Sequence, residues 1–344
     1  MSMTSPIAVP AAPAETPFVV AAFYKFVRLD DFEAVRPILQ THCRRAGLLG
    51  TILLAPEGIN GTVCGSQTAL EALMQAFAAD ARLADISPKF SFASEASFHR
   101  MKVRLKKEIV SMGQPDIDPV GDVGAYVAPK DWNQLIADPD TLVIDTRNAF
   151  EVAIGTFEGA VNPKTKSFRE FPEWVDGYLA KLDEAEKPKN IAMFCTGGIR
   201  CEKATAYLVG QGFENIFHLE GGILKYLETV AETESKWDGD CFVFDQRVSV
   251  KHGLKEGDYD MCHGCRMPLT QTQKQHPAYE AGISCEHCID THSEADRLRF
   301  RQRQKQIKLA RARGEEHIGQ QGDGSAPESA PESAPESAPE RAND

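Results

Sequence analysis

Hydrophobic residues recur with two different periods along the first hundred positions, and these periods separate strands from helices. Runs rich in β-branched and aromatic residues predict strands at residues 18–26, 50–54, 62–64 and 88–93. Helical spacing predicts a helix from residue 30 or 31 to about residue 46, and another at residues 67–79. The pair Asn60-Gly61 predicts a tight hairpin turn. The order strand–helix–strand–strand–helix–strand is that of a ferredoxin-like domain.

Strands and helices then alternate between residues 125 and 235. Strands are predicted at residues 141–145 and 190–194, and helices at residues 129–136, 171–182 and 202–211. Such alternation predicts a parallel α/β sheet. Residues 113–124, rich in Gly, Pro and Asp, are typical of a linker between the two regions.

The chain of 344 residues is long enough for two or three domains. Its first residues are rich in Ala and Pro and lack the cationic start of a signal peptide, and its end carries four Ser-Ala-Pro-Glu repeats. Both segments are predicted to be disordered. The predicted divisions are a leader 1–16, a ferredoxin-like domain 17–112, a linker 113–124, an α/β domain 125–235, a Cys-rich C-terminal region 236–319 and a tail 320–344.

Cysteine usage and hydropathy indicate the compartment. Four of the nine cysteines form C-x-x-C pairs, which indicates thiol and metal chemistry in a reducing compartment rather than a disulfide framework. No stretch approaches the roughly 18 apolar residues that a membrane-spanning helix needs. We therefore expect a cytoplasmic protein without a membrane partner.

The chain has a net charge of −12 but contains two runs of basic residues. Residues 323–344 alone contribute −5, whereas residues 297–313 carry eight Lys and Arg without an acid. Basic and apolar residues also alternate over residues 100–106, so that a strand would carry four cations on one face, namely Arg100, Lys102, Arg104 and Lys106. A solvated outer face and a track for an RNA phosphate backbone both fit this stripe.

The stretch with the clearest chemistry is residues 194–201, F-C-T-G-G-I-R-C, between a predicted strand and a predicted helix. Backbone N–H groups of such a loop and helix start converge on an anion. We therefore predict that Cys195 has a pKa well below the free value of about 8.5 and is a thiolate at neutral pH. Gly197 and Gly198 allow a tight loop, and Arg200 is expected at its rim. A buried structural cysteine is the alternative.

Other residues are predicted to support this loop. Asp145 and Arg147 follow a strand, at the edge where open α/β sheets place ligands. An ion pair that fixes the loop and a direct part in the chemistry both fit them, and Glu151 is expected in the same network. Cys201 is predicted either to reach Cys195 as a resolving thiol or to pack inward.

A second set of cysteines, Cys262, Cys265, Cys285 and Cys288, forms two C-x-x-C pairs separated by 19 residues. This spacing is typical of a structural Cys₄ zinc site, and redox-active thiol pairs are the alternative. A basic helix is predicted over residues 294–314, with a cationic face formed by Arg297, Arg301, Lys305 and Lys308. A solvated face and a surface for nucleic acid or a partner both fit this helix.

The loop C-T-G-G-I-R resembles the active loop of a rhodanese domain. L-V-I-D-T-R at residues 142–147 and F-E-N-I-F-H-L-E-G-G at residues 213–222 resemble the flanking strands of that family. The loop spans six residues from Cys to Arg, like that of the sulfurtransferases, whereas the related phosphatases have one residue more. The resemblance disfavours a phosphatase.

Three motifs together resemble the oxygen-dependent tRNA uridine hydroxylases that carry a rhodanese domain. These motifs are residues 42–62, the loop 195–201 and the two C-x-x-C pairs. The resemblance implies hydroxylation of the wobble uridine at C5, with tRNA as partner, Cys195 as catalytic residue, dioxygen as co-substrate and a reductant of unknown identity. The residues themselves predict no oxygenase cofactor, since they contain neither His-His-carboxylate spacing for iron nor G-x-G-x-x-G for a flavin or nicotinamide.

Two other functions fit the same residues. A sulfurtransferase would carry sulfur as a persulfide on Cys195. A non-catalytic RNA-binding or docking protein would keep the loop as a scaffold, although the intact Cys195, Gly197, Gly198 and Arg200 count against it.

Overall fold

The computed structural model describes residues 7–114, 117–183 and 187–313. The described residues fall into two compact units, which divide between Gly257 and Asp258. The first unit contains both predicted α/β regions, and the second contains the four-cysteine region and the basic helix. The predicted tail and the first six residues of the predicted leader lie outside the described residues.

The ferredoxin-like domain is a five-stranded sheet with two helices packed against it. Its strands are β1 (Phe18–Phe26), β2 (Leu49–Ala55), β3 (Gly58–Gly65), β4 (Lys89–Ala93) and β5 (Met101–Leu105). Its helices are α1 (Phe32–Arg45) and α2 (Gln67–Ala78). The sheet order is β4-β1-β3-β2-β5, in which the first four strands are antiparallel and β5 runs parallel to β2. The predicted element order is confirmed, with β5 as an addition.

The core of this domain follows from the alternation along β1. Val19, Ala21 and Phe23 are buried, and the Phe23 ring meets Phe77 of α2 edge to face with centroids 5.1 Å apart. Val9, from the segment predicted as a leader, is buried in the same core. At least this side chain of the segment therefore contributes to the domain.

The predicted hairpin between β2 and β3 is present, but its turn lies at Pro56-Glu57. The prediction of a turn at Asn60-Gly61 was wrong, because both residues pair with β2 inside the ladder. A Cβ on Gly61 would lie 2.9 Å from the Phe23 ring, so packing requires this glycine. Glycine inside a strand commonly marks such a close approach.

The second domain is built on a parallel sheet with the order β6-β10-β9-β7, as the alternation predicts. The strands of this domain are β6 (Ala125–Val127), β7 (Thr141–Asp145), β8 (Gly155–Phe157), β9 (Asn190–Phe194) and β10 (Ile216–Leu219). Its helices are α3 (Pro129–Ile136), α4 (Ala149–Val152), α5 (Phe171–Leu179), α6 (Ile199–Gly210) and α7 (Gly222–Thr229). Helix α6 begins earlier than predicted, so that the end of the cysteine loop is already helical.

The chain after α7 returns to this domain. Strand β11 (Trp237–Gly239) pairs antiparallel with β8, and β12 (Cys241–Phe242) pairs with β13 (Ser249–Val250). The side chain of Cys241 is buried in the same core as Phe157. The predicted C-terminal region 236–319 thus begins with residues that pack onto the α/β domain.

The second unit is built on the four cysteines and one helix. Two short strands, β14 (Asp260–Met261) and β15 (Pro268–Leu269), pair antiparallel. Helix α8 (Glu294–Ala312) follows the last cysteine pair. Within the part of the chain that the structure describes, no helix is both long and apolar enough to span a membrane.

Candidate active site

Cys195 lies directly after β9 and just before α6, so the sheet and the helix together position its sulfur. The Gly198 N–H donates to the Cys195 Sγ at 3.1 Å, whereas the Cys201 N–H donates to the Gly198 carbonyl oxygen at 3.0 Å. Gly198 has a φ of +105°, which favours glycine, whereas a Cβ on Gly197 would meet no atom within 4 Å. Gly198 therefore supplies a backbone donor to the sulfur, and it is the glycine of the loop whose backbone conformation is left-handed.

The surroundings of Cys195 lower the pKa of its thiol against the effect of its burial. Its side chain has no exposed surface, and burial by itself raises a thiol pKa. The neighbouring Cys201 thiol, the Arg200 charge and nearby backbone N–H groups outweigh burial and lower the pKa of Cys195. Burial and the neighbouring Cys195 charge raise the pKa of Cys201 instead. Cys201 packs inward in the same core as Cys195, where its sulfur lies 3.6 Å from the Thr146 hydroxyl oxygen, and its role as a resolving thiol stays a prediction.

Arg200 points into the domain, where it forms a two-point ion pair with Glu151. Its Nη1 and Nη2 atoms lie 2.6 and 2.7 Å from the two carboxylate oxygens. Burial raises the pKa of Glu151, but the Arg200 charge and hydrogen bonds outweigh it and hold that pKa below its usual value. The prediction that Arg200 stands at the rim was wrong, because the buried Glu151 carboxylate needs a cationic partner.

Asp145 and Arg147 form another ion pair, fully buried at the end of β7. The Arg147 Nε and Nη2 atoms lie 2.8 and 2.6 Å from the Asp145 carboxylate oxygens. Arg147 also donates to the Gly155 carbonyl oxygen at 2.6 Å, and its guanidinium lies 5.0 Å from the centre of the Trp237 ring. These contacts favour the role of fixing the strand ends over contact with a substrate.

Residues that the sequence analysis did not single out lie over the loop. Tyr24 of β1 donates its hydroxyl to the Glu202 carboxylate of α6 at 2.7 Å. The same hydroxyl oxygen lies 2.7 Å from the position that a Cβ on Gly198 would take. Lys89 of β4 places its ammonium 4.8 Å from the centre of the Tyr24 ring. The ferredoxin-like domain thus contributes side chains to the surroundings of Cys195.

One sequence signal could have indicated how closely the loop is enclosed. It is the glycine pair before α7, since a Cβ on Gly222 would lie 2.5 Å from the Cys195 carbonyl oxygen. Tyr24, Lys89 and Glu202 belong to no local pattern. They come together only because two domains pack against each other.

The basic stripe predicted over residues 100–106 lies on β5, at an edge of the ferredoxin-like sheet. The first two apolar side chains of this strand are buried, whereas Lys102 and Arg104 are partly exposed and Arg100 and Lys106 are exposed. The alternation follows the prediction except at Leu105, whose side chain is 37% exposed. The stripe is accessible, and its contact with RNA stays a prediction.

The four cysteines of the second unit converge on one point. All four sulfur atoms lie within 4.8 Å of one another. The separations are 3.7 Å for Cys265 and Cys285, 3.8 Å for Cys285 and Cys288, and 4.0 Å for Cys262 and Cys288. Zinc with four Zn–S bonds of about 2.3 Å requires separations of about 3.8 Å in a tetrahedron. The cluster fits that size, and all four cysteines are free of disulfides.

Much of the cationic face predicted for α8 is used within the second unit. Arg297 and Arg303 each donate to two backbone carbonyl oxygens of the neighbouring loops. Arg301 pairs with Glu280 at 2.9 Å. Arg297 and Arg301 therefore attach the helix to the cysteine-bearing loops, whereas Lys305 and Lys308 are exposed.

Two protein-family models match the chain where the structure has its two α/β domains. Residues 18–109 match a UPF0176 acylphosphatase like domain, and residues 128–229 match a Rhodanese-like domain. The predicted rhodanese-like domain is therefore confirmed. Among solved structures, a rhodanese-related protein from Thermoplasma volcanium is 24% identical and covers 31% of this chain and 93% of its own. Its TM-score of 0.24 is too low to support an argument.

Relatives of the chain cover most of its length. A protein of Rhizobium leguminosarum bv. trifolii named tRNA uridine(34) hydroxylase is 58% identical over 88% of this chain and 97% of its own. A protein of Mesorhizobium japonicum with the same name is 57% identical over 90% and 99%. One of Agrobacterium fabrum is 55% identical over 92% and 100%. The resemblance drawn from the three motifs is confirmed, and the chain belongs to the tRNA uridine(34) hydroxylase family.

Proposed function

We propose that this protein hydroxylates the wobble uridine of tRNA at C5, with Cys195 as its catalytic residue. The observation that carries the proposal is the enclosed Cys195 loop in a chain that has relatives, at 55–58% identity, named tRNA uridine(34) hydroxylase. One atom of dioxygen enters the product. The other is reduced to water, which requires two electrons from a reductant. An enzyme that acts on tRNA works where tRNA is, so we place the activity in the cytoplasm.

The residues of the loop support nucleophilic chemistry. A thiolate at Cys195 can add to C6 of uracil, which is electron-poor because it is conjugated with the C4 carbonyl. The addition makes C5 electron-rich, and C5 is the position that is hydroxylated. The Gly198 N–H and the Arg200 charge favour the ionised sulfur before the base arrives. The Arg200–Glu151 ion pair holds the loop in this conformation.

Access to the sulfur requires movement. Cys195 has no exposed surface in this structure, so a base reaches it only when side chains over the loop are displaced. Enzymes that act on a base extrude it from the nucleic acid into a pocket. The Tyr24–Glu202 hydrogen bond joins the two domains at this place and must break or shift during entry.

Nucleoside analysis of tRNA tests the proposal. A strain that lacks the gene is complemented with the wild-type gene, with Cys195→Ser or with Cys43→Ala, a buried cysteine of α1 that serves as the control. We expect 5-hydroxyuridine with wild type and Cys43→Ala and none with Cys195→Ser, at equal protein levels. Full product from Cys195→Ser would overturn the role of the cysteine. Failure of the wild-type gene to restore the product would overturn the reaction.

A rhodanese-type sulfurtransferase is the second candidate, favoured by the Rhodanese-like domain match around the same loop. The Cys195 thiolate would take the outer sulfur of thiosulfate as a persulfide and release sulfite, and cyanide would accept that sulfur as thiocyanate. Thiocyanate formation by the purified protein tests this activity. A rate equal to that of Cys195→Ser would exclude it.

We further propose that tRNA lies against the basic stripe of β5 and that zinc holds the four-cysteine cluster together. Two cations on β5, Lys102 and Arg104, and two that flank it, Arg100 and Lys106, suit a phosphate backbone, whose binding weakens steeply with added salt. An affinity for tRNA that does not change with salt would contradict this contact. All four tetrahedral positions of the cluster are filled by sulfur, which favours a structural zinc.

A further inference from the structure

A group of polar and aromatic side chains lies over the Cys195 loop, where the ferredoxin-like and rhodanese-like domains meet. Tyr24 and Lys89 come from the first domain, and Glu202 and Tyr126 from the second. Tyr24 donates to Glu202 at 2.7 Å, and the Lys89 ammonium lies 4.8 Å from the Tyr24 ring centre. Tyr126, which is 51% exposed, also favours the ionised form of the Glu202 carboxyl. The group combines a cation, a carboxylate acceptor and aromatic faces.

Glu202 is buried in this group, and Lys89 is partly buried. Burial lowers the pKa of Lys89 to about 8, and the Lys225 charge also lowers it. The negative charges of Cys195, Glu202 and Glu220 oppose this lowering. Burial also raises the pKa of Glu202. Charges kept in such surroundings are costly, and they concentrate at functional sites. Since Arg200 is occupied by Glu151, it is not the cation that would meet a base.

The pairing edge of uracil matches these two charges. Uracil presents its N3–H donor beside the O4 acceptor, whereas cytosine presents an N3 acceptor beside the N4–H₂ donor. A carboxylate beside an ammonium can therefore accept from the N3–H of uracil and donate to its O4. On cytosine, the carboxylate would face the N3 acceptor and the ammonium would face the N4–H₂ donor. The Tyr24 hydroxyl already gives Glu202 the hydrogen bond that an N3–H would give.

We propose that Lys89 and Glu202 form the subsite that selects uracil, with Glu202 accepting from N3–H and Lys89 donating to O4. The base takes the place of the Tyr24 hydroxyl on Glu202, and the exposed ring of Tyr126 offers a face for stacking. A cation at O4 also stabilises the negative charge that addition at C6 sends to that oxygen. The assignment rests on the proposed function, because it concerns a uridine brought to Cys195. It gives the ferredoxin-like domain a part in selecting the base.

The test uses the full chain and two anticodon stem-loop RNAs that differ only in U or C at position 34. Binding affinity gives the U34 to C34 ratio, and 5-hydroxyuridine formation gives kcat and KM. The variants are Lys89→Met, Lys89→Arg and Glu202→Gln. Lys25→Met is the matched control, since Lys25 follows Tyr24 on β1 but donates to the Arg82 carbonyl oxygen instead. Thermal melting shows whether each variant is folded.

We expect wild type to bind U34 RNA at least about tenfold more tightly than C34 RNA, as a well-formed base contact allows. Glu202→Gln should bring this ratio near one, because an amide can donate to the N3 of cytosine. Lys89→Met should lower kcat/KM for U34 about tenfold or more, Lys89→Arg should retain most of it, and Lys25→Met should match wild type.

The outcomes separate this inference from the proposed reaction. A wild-type U34 to C34 ratio in both Glu202→Gln and Lys89→Met would overturn the subsite, whether or not product forms. Loss of the ratio in these variants supports the subsite even if wild type forms no 5-hydroxyuridine, which would overturn the reaction alone. If Glu202→Gln is unfolded, the two Lys89 variants provide the test. An equal loss of kcat/KM for U34 RNA in Lys89→Met and Lys89→Arg would overturn the need for a cation.

Discussion

The Cys195 loop and the four-cysteine cluster are two regions in which sulfur atoms are gathered, and they differ in what surrounds the sulfur. In the loop, one sulfur accepts a hydrogen bond from the Gly198 N–H, and the Arg200 charge lowers its pKa. In the cluster, four sulfurs lie within 4.8 Å of one another. The loop has a donor and a cation of its own for an anion, whereas four thiolates gathered as in the cluster would need a bound cation, as in the proposed zinc site. Neighbouring groups, rather than the cysteine itself, decide between a nucleophile and a metal ligand.

Cys241 shows that burial does not explain the difference. It is as fully buried as Cys195 and lies in the same domain, but burial raises its pKa to about 12. The comparison therefore depends on the donors around the sulfur, and these can be removed one at a time.

Metal removal should have the largest effect, and it should act on the cluster. A structural zinc in such a site contributes on the order of 10 kcal/mol. We expect one zinc ion per chain in the purified protein and loss of structure in residues 258–313 after chelation or in Cys285→Ser. Metal analysis and limited proteolysis measure these changes, with Cys43→Ala as the cysteine control. A metal-free protein that resists proteolysis in this region would contradict the comparison.

Loss of the ion pair behind the loop should have the next largest effect. Arg200→Met leaves the buried Glu151 carboxylate without its partner, which should cost about 3–5 kcal/mol in the free energy of unfolding. It should also raise the pKa of Cys195, because the Arg200 charge helps to lower it. Denaturant unfolding measures the stability. Unchanged stability would show that the pair does not hold the loop.

A matched control for this variant is Lys189→Met, which removes an ion pair with Asp140 at the surface. Exposed pairs contribute little because water and salt screen them. Lys189→Met should therefore unfold like wild type. Equal destabilisation by both substitutions would indicate a general loss of charge rather than a loss at the loop.

Removal of the Cys201 thiol should have a smaller effect. Cys201→Ala deletes a side chain that helps to lower the pKa of Cys195, so that pKa should rise. The pH dependence of thiolate absorbance measures this change. Cys64→Ala, at a buried cysteine of β3, is the control. The same Cys195 pKa in both variants would show that Cys201 does not help to lower it.

The smallest effect is expected at Gly197, and the neighbouring Gly198 is its matched comparison. Gly197→Ala should leave folding and the Cys195 pKa nearly unchanged, because its Cβ would meet no atom within 4 Å. Gly198→Ala should impair both, since its φ is +105° and its Cβ would lie 2.7 Å from the Tyr24 hydroxyl. Thermal melting and thiol titration compare the two variants. Equal behaviour would contradict the geometry of the loop.

The sequence alone predicted the parts of this site that local patterns determine. The strand that ends at Phe194 and the loop after it follow from an apolar run and a glycine pair, and both lie where predicted. The position of Arg200 was predicted wrongly because its partner, Glu151, lies 49 residues away in the chain. Nothing local indicates that this pair is buried.

Contacts between domains were beyond the reach of sequence patterns. Tyr24 and Glu202 are 178 residues apart, and their hydrogen bond depends on how two domains pack. The Asn60-Gly61 turn was misplaced for a related reason, since packing against Phe23 requires Gly61 to lack a side chain. Local patterns predicted the elements well, and long-range packing decided the rest.

Titration of Cys195 is the most direct test of the central claim that the loop holds this thiol ionised. The thiolate absorbance near 240 nm is recorded against pH for wild type and for Cys195→Ser, and the difference reports on Cys195. If the pKa of Cys195 is lowered, the thiolate persists as the pH falls below the free pKa of about 8.5. The absorbance difference between wild type and Cys195→Ser then disappears only at acidic pH. A difference that appears only at or above about pH 8.5, as for a free thiol, would contradict the claim.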